Sequence, residues 1–391
     1  MEINVFALGE STDINTWSNL PFYLCAALQR RATLRRINLL LPQPPITYSV
    51  GHRVARRLWP SFAGSHEHTF RNRMRCSLIN KEIAMMSRTF TDADWNLFLT
   101  FSFSSYRTSQ VPVVHYCDRT YEHYLEENGF RPASRDRYFI EQEKQNLRHA
   151  LCVFATNELC RDFIRERYGV DNVVWLPAGI NVEISVDDPH CLIREKLRST
   201  DVVFIAREAA RRGVDIAVDA FRLAAQDKPD WRLHLVGVRP DEVQVEDERI
   251  TAYGYLRKDL PADRVVYDDL LRRARVFVCP VRRGQPPTGA IREAQMMCSP
   301  VVLSHVSDAP ELVTHGQNGL LTDSLEPEAF AHYITQLVEN DVMWSKLAFG
   351  AHQSVRERTW DKTASQLIDT VSSIKARGSK PSTRKRAIHT S

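Results

Sequence analysis

The stretch from Val276 to Val302 limits the fold of this chain more than any other part of it. An apolar run from Val276 to Val278 stops at Pro280, which has no N–H to give a sheet ladder. A loop bearing Gly284 and Gly289 follows. A helical segment then opens at Gly289 and ends before Pro300, and a second apolar run starts at Val301. Strand, glycine-bearing loop, helix and strand form the βαβ unit of a parallel sheet. Such sheets bind ligands beyond the carboxyl ends of their strands, where helix N-termini present unpaired N–H groups and the positive end of a dipole. A phosphate or a ribose suits that place. Glu293 lies one turn into the helix, within reach of a ligand there, although a solvated glutamate would leave the same trace in sequence.

The same unit recurs along the chain. A short strand from Asn4 to Leu8 enters a polar loop containing Trp17, Ser18 and Asn19, and a helix begins after Pro21. A tryptophan in that loop can stack on a sugar ring or lie buried under the loop. Ile37–Leu41, Ala93–Phe101 and Pro112–Asp118 read as further strands, whereas residues 46–90 carry no clear pattern. Asp118 falls at the carboxyl end of its strand, where it serves either a ligand or, as an N-cap, the helix beginning near Thr120. A helix from Asp136 to His149 leads to a strand at Ala150–Ala155, and polar residues from Asn181 to His190 mark a hinge. Beyond it, Val202–Ala206 runs into Arg207 and then Arg211-Arg212-Gly213, strands follow at Trp231–Gly237 and Ile250–Leu256, and helices close the chain from Pro327 to Thr370. The fold class expected is α/β, with two Rossmann-like parallel-sheet domains facing across a cleft. Their expected bounds are 1–185 and 186–372, with the last helix free to pack back on the first domain. Residues 373–391 are expected to form a basic, disordered tail.

Composition narrows the functional classes. A chain of 391 residues with 43% hydrophobic and 26% charged residues can bury two cores. No apolar run approaches the roughly 20 residues of a membrane span. The N-terminus reads as a strand rather than a signal peptide, and eight cysteines without a C-x-x-C pair argue against zinc or a disulfide framework, so a reduced, cytoplasmic protein is expected. A net charge of +4 names no polyanion partner, and no reader motif for nucleic acid accompanies the arginines. Arginines do gather at 30, 31, 35 and 36, at 53, 56 and 57, and at 71, 73 and 75, with Trp59, Phe62 and Phe70 among them. That stretch suits an anionic membrane surface at the inner face, or simply solvated helix backs.

Taken together, Arg207, Arg212, the Glu293-Ala294 step, Pro300-Val-Val302, Asp308-Ala-Pro-Glu311 and the Gly316–Gly319 turn resemble the retaining family-4 glycosyltransferases of the GT-B fold. The segment from Tyr168-Gly169 to Pro177-Ala-Gly179-Ile-Asn181 adds to the resemblance, which is strong over 150–366 and weak over 1–135. It implies transfer of a sugar, with retention and without a metal or other cofactor, from a nucleoside-diphosphate sugar to a hydroxyl of a saccharide or lipid-linked acceptor. Arg207 and Arg212 would hold the diphosphate, with Arg212 at the family's lysine position and Ala206 at its glycine. Asp118 would face the reacting sugar. Glu293, Gly289 and Ala290 would hold the donor, with Glu293 on the ribose hydroxyls. Tyr255 and Leu256 belong to the loop that holds the base, mostly through backbone groups. Trp17, Ser18 and Asn19 replace an acceptor-side loop that often carries glycines. Two departures stand out: Gln285 occupies the place of the first glutamate of the family's Glu-x7-Glu pattern, and Cys298 replaces a glycine. Gln285 would bond sugar hydroxyls in that glutamate's stead, without its charge. Arg282 and Arg283, beside the expected sugar site, suit an acidic sugar. The rival readings are a GT-B sugar-nucleotide epimerase and a catalytically weak nucleotide-sugar-binding subunit.

Overall fold

The computed structural model describes residues 1–40, 71, 73–181, 186–243 and 246–378. Its first half is a six-stranded parallel sheet made of β1 (Glu2–Leu8), β2 (Thr33–Leu39), β3 (Trp95–Phe98), β4 (Val113–Cys117), β5 (Cys152–Ala155) and β6 (Val173–Trp175), in the order β2-β1-β3-β4-β5-β6. Between them run α1 (Leu20–Gln29), α2 (Arg73–Thr89), α3 (Tyr121–Glu127), α4 (Ser134–Arg148) and α5 (Glu158–Tyr168). The helix ends follow local chemistry. Thr120 caps α3 by accepting from the His123 N–H at 3.3 Å, and Asn157 caps α5 by accepting from Cys160 N–H at 2.7 Å. Gly169, at φ 62°, ends α5 in the left-handed conformation.

The second half repeats the plan. After α6 (Pro189–Lys196), strands β7 (Asp201–Ile205), β8 (Arg232–Val236), β9 (Ile250–Gly254), β10 (Val276–Cys279), β11 (Val301–Ser304) and β12 (Gly319–Thr322) form a parallel sheet in the order β12-β11-β10-β7-β8-β9. The connecting helices are α7 (Val214–Ala224), α8 (Pro261–Arg273), α9 (Thr288–Met296) and α10 (Ala309–Leu312), and then come α11 (Pro327–Glu339) and α12 (Asp341–Val355). Helices cover both faces, so β10 and β11 are buried along their whole length and carry the apolar runs Val276–Cys279 and Val301–Leu303. Phe277 pairs with Val301, which sets the βαβ unit in register. The architecture is the GT-B arrangement of two Rossmann-like domains.

The last helix, α13 (Trp360–Gly378), leaves the second half and returns to the first. Its Trp360, Ala364, Leu367 and Val371 join Leu24 and Leu28 of α1 in the core beneath the first sheet. Gly179 allows this return, because a Cβ there would strike the Trp360 backbone and ring. Thr363 donates to Pro177 O at 3.0 Å and the Trp360 indole to Asn181 Oδ1 at 2.9 Å. The helix also corrects the expected start of the tail. Residues 373–378 are helical, since Ile374 packs on the same core and Lys375 bonds Asp94.

Most arginines of the expected basic surface that fall in the described residues are engaged within the molecule. Arg30 and Arg31 pair with Asp361, Arg35 pairs with Asp92, and Arg71 lies against Glu143 and the Tyr121 ring. Arg53, Arg56, Arg57, Trp59, Phe62 and Phe70 lie outside the described residues. Among the described residues no helix is long and apolar enough to cross a membrane.

Candidate active site

The carboxyl ends of both sheets open on one cleft of about 470 Å³. In the second sheet the chain lays β8 and β9 on one side of β7 and returns with β10 on the other. The loops after β7 and β10 therefore part at a topological switch point, where such sheets bind ligands. From these loops Arg207, Arg212 and Gln285 through Ala290 reach the cleft wall. The first sheet contributes Trp17, Ser18 and Asn19 after β1, and Asp118 after β4. All twelve candidate residues thus line one space.

Arg212 is lodged between the two loops. Gly213 adopts φ 73°, and a Cβ there would collide with Pro280 O, so only glycine lets the two loops pass this closely. Nε and Nη1 of Arg212 are buried and have no hydrogen-bond partner among the described residues. Burial, with Arg211 nearby, lowers its pKa to about 10, so it stays cationic at neutral pH. An unpaired buried guanidinium is costly, and an anion entering the cleft would remove that cost. Arg207 is different: it is exposed, with its guanidinium 4.2 Å from the centre of the Tyr255 ring. Arg211 is held by Glu208 and by Arg283 O, at 3.2 Å from the latter.

Helix α9 begins at the cleft with no side-chain cap at Pro287. The first-turn N–H groups of Gly289 and Ala290 have no intrahelical acceptor and sit at the positive end of the helix dipole. A Cβ on Gly289 would meet nothing within 4 Å, so the approach is open. Glu293, only 2% exposed, accepts from Lys258 Nζ at 2.6 Å and from the Tyr267 hydroxyl. A carboxylate offers about four lone-pair directions, so these two donors orient it without exhausting it. The Tyr267 hydroxyl is held far above its usual range, first by burial and then by the Glu293 charge.

On the opposite wall, Trp17, Ser18 and Asn19 have φ values of 37°, 53° and 68°. Three successive non-glycine residues in left-handed space store strain, which proteins concentrate at functional loops. Trp17 packs on the core of the first sheet and lines the cleft as well. Asn181 donates to Ser18 O at 3.1 Å and holds the turn. Asp118 does not cap α3, the role Thr120 fills; its carbonyl accepts from Asn157 Nδ2 at 2.8 Å. His115 stays inside β4, fully buried, with Nδ1 2.7 Å from Thr100 O and its pKa pushed down to about 4 by burial. Tyr255 spans the cleft by donating to Asn15 at 3.1 Å, and Leu256 packs partly on the second core.

Some expectations need correction. Arg282 is drawn away to Asp215, at 2.5 and 2.7 Å, and Arg283 lies over Phe130; neither lines the cleft. The Gln285 amide donates to Asp308 at 3.0 Å, so only part of it remains for sugar hydroxyls. The expectation that the chain has no Asp-x-Asp motif is wrong, because Asp92-Ala93-Asp94 has that spacing. Its carboxylates are engaged by Arg35 and by Lys375 and the Glu2 N–H, at the amino end of β3 and away from the cleft.

Sequence reasoning also missed three cleft residues. Lys258 carries no pattern. Arg292, beside Glu293, is 6% exposed and makes no hydrogen bond or ion pair among the described residues; burial lowers its pKa to about 10. Asp308 was visible in the Asp-Ala-Pro-Glu step, but only the Pro-Glu part of that step carried weight.

Comparison with known proteins agrees with this geometry. Residues 199–340 match the family described as Glycosyl transferases group 1. The chain is 26% identical over 227 residues to a phosphatidyl-myo-inositol mannosyltransferase of Mycobacterium leprae, covering 58% of this chain and 60% of that one. It is 28% identical over 234 residues to an alpha-maltose-1-phosphate synthase of Mycolicibacterium smegmatis, covering 54% and 56%. The matches thus span less than two thirds of these curated relatives. Among solved structures, a sucrose-phosphate synthase from Thermosynechococcus elongatus superposes with a TM-score of 0.68 at 16% identity, covering 96% of this chain and all of that one. Anabaena HepE in complex with UDP and glucose superposes with a TM-score of 0.65 at 18% identity over 95% of this chain and 100% of that one. At such identities the likeness establishes the fold.

Proposed function

We propose that this protein, whose residues 199–340 match the group 1 glycosyl transferases, moves a sugar from a nucleoside-diphosphate sugar to an acceptor hydroxyl. The observation that carries this reading is the Arg212 guanidinium, with Nε and Nη1 buried and unpartnered among the described residues, beside the uncapped start of α9 at the switch point of the second sheet. As the bond from the anomeric carbon to the diphosphate breaks, negative charge gathers on the leaving phosphate. Arg212, the Gly289 and Ala290 N–H groups and, nearer solvent, Arg207 meet that charge in fixed positions, the arrangement that lowers a barrier most. A guanidinium can take two phosphate oxygens at once. These donors stabilise the leaving group without a metal ion, and attack by the acceptor from the same side retains the anomeric configuration.

Glu293, held by Lys258 and Tyr267, accepts from the ribose hydroxyls, and the backbone at Tyr255 and Leu256 borders the base. Asp118 faces the reacting sugar from the end of β4. Trp17, Ser18 and Asn19 meet the acceptor, with the Trp17 ring available to a sugar face. The relative named as a phosphatidyl-myo-inositol mannosyltransferase favours a lipid-linked acceptor over a free saccharide.

The test is incubation with UDP-, GDP- and ADP-sugars, with and without phosphatidylinositol vesicles or soluble saccharides. The expected result is release of nucleoside diphosphate that depends on an acceptor and yields a glycosylated product. A freed, altered sugar without acceptor, or nucleotide binding with no turnover on any acceptor, would count against transfer.

A further inference from the structure

We propose that Asp308 supplies the carboxylate that position 285 lacks, and that Asp308 and Gln285 together form an acceptor pair for neutral hydroxyl groups of the donor sugar. The inference rests on the glycosyl-transfer reading and adds a specificity element to it.

Gln285 stands where the resemblance places a glutamate, and an amide cannot carry that charge. The structure puts a carboxylate beside it. Gln285 Nε2 donates to Asp308 Oδ2 at 3.0 Å, which fixes the amide and leaves its Oε1 to accept from a ligand. Asp308 is 3% exposed, lines the cleft, and its Oδ1 is buried with no partner among the described residues. It precedes α10, yet its side chain does not cap that helix. The ordinary structural use of an aspartate at this position is therefore not being made.

Its backbone setting is also unusual. Ser307 takes φ 41°, a left-handed conformation rare for serine, and its hydroxyl donates to Glu127 of α3. The strained residue aims the next one, and the contact comes from the other half of the molecule. The groups around Asp308 are Gln285 after β10, Arg119 and Glu127 from the first half, and Arg292 and Glu311 flanking it in the second. Arg119 is already paired with Glu127 and makes no ion pair with Asp308. Burial raises the Asp308 pKa to about 6, so at pH 7 it is mostly an anion that can only accept.

A buried carboxylate oxygen without a donor is costly, and a sugar hydroxyl is the donor that this cleft would receive. Acceptors on two hydrogen-bonded side chains, Oδ1 of Asp308 and Oε1 of Gln285, suit hydroxyls of one ring. The same pair would repel a carboxylate on the sugar. Together with the withdrawal of Arg282 to Asp215, this makes a neutral sugar the preferred donor class.

The experiment compares wild type, Asp308→Asn, Asp308→Ala and the exchange variant Gln285→Glu/Asp308→Asn. UDP and GDP binding is measured by calorimetry, and turnover with UDP-glucose, GDP-mannose and UDP-glucuronate. Asp308→Asn should bind nucleoside diphosphate within about threefold of wild type, yet lose about 100-fold in kcat/KM with the preferred neutral donor, in keeping with the loss of one oriented group in a dry site. The exchange variant, which returns the charge to position 285, should recover to within about tenfold of wild type. Wild type should turn over UDP-glucose faster than UDP-glucuronate, and Asp308→Asn should narrow that gap. Wild-type turnover in Asp308→Asn with nucleotide binding intact would overturn the proposal, as would failure of the exchange variant to exceed Asp308→Asn. Absence of nucleoside diphosphate binding by wild type would instead overturn the glycosyl-transfer reading, and this inference with it. Asp308→Ala, which lacks the amide that could mimic a water-mediated contact, must lose at least as much turnover as Asp308→Asn; smaller losses would also contradict the role.

Discussion

The two sheets deliver different chemistry to the same cleft. From the second come Arg212, with two buried nitrogens lacking partners among the described residues, the bare start of α9, and Glu293 clamped by Lys258 and Tyr267. From the first come a strained neutral turn at Trp17–Asn19 and Asp118. One wall presents cations and bare N–H groups, whereas the other offers a ring, backbone, short polar side chains and the Asp118 carboxylate. A fixed cation costs folding stability, and on the proposed reading it faces the constant charge of a diphosphate. In the same reading, an irregular wall without cations suits an acceptor whose shape varies. The donor is then held by the cationic wall, on that proposal, and the acceptor meets the other.

That contrast can be broken most severely at Arg212. Arg212→Ala should lower turnover by roughly 100- to 1,000-fold and leave Tm unchanged or higher, because an unpartnered buried charge is removed; steady-state kinetics and thermal unfolding check both. A loss of stability with turnover intact would erase the distinction between the walls. Glu293→Ala comes next. It strands Lys258 and Tyr267 in a buried setting and should destabilise the fold by about 3 kcal/mol in urea unfolding.

The pH dependence of Asp308 sharpens the picture on the charged side. Its folded pKa of about 6 lies above the unfolded value of 3.8, so the native state holds the proton longer between those values. Its contribution to stability is greatest at low pH and falls as pH rises from about 4 to about 6. Relative to wild type, Asp308→Asn should therefore gain on the order of 3 kcal/mol across that window. His115, buried neutral with a pKa near 4, has the opposite slope but cancels in the comparison of the two proteins. On the wall without cations the effects are smaller. Trp17→Ala should raise the acceptor KM about tenfold, with nucleoside diphosphate affinity unchanged. Ser18→Gly, at φ 53°, should stabilise the protein by about 1 kcal/mol by relieving left-handed strain.

How much of this could be read from sequence follows the same division. Parallel strands buried on both faces leave apolar runs such as Val276–Cys279 and Val301–Leu303, and switch-point loops leave the Arg-Arg-Gly and Gly-Ala-Ile-Arg-Glu signatures beside them. These are local patterns, so the two-sheet fold and the charged wall were legible. Partnerships across long sequence distances were not. Nothing near Gln285 announces that its amide will meet Asp308, or that Lys258 will clamp Glu293. Arg282 is expected beside the sugar site, and nothing local shows that Asp215 will draw it away. The end of α13 was misjudged because its Lys, Arg and Ser content suggested a tail, while the apolar spacing of Leu367, Val371 and Ile374 already fitted a packed helix face.

The most direct test is a crystal structure of the protein with a bound nucleoside diphosphate, UDP or GDP. The pyrophosphate should lie between the Arg212 guanidinium and the Gly289 and Ala290 N–H groups, with charge-assisted bonds of about 2.7–2.9 Å to Arg212, and the ribose against Glu293. A nucleotide seated elsewhere, or bound here with the Arg212 nitrogens still unpaired, would contradict the account.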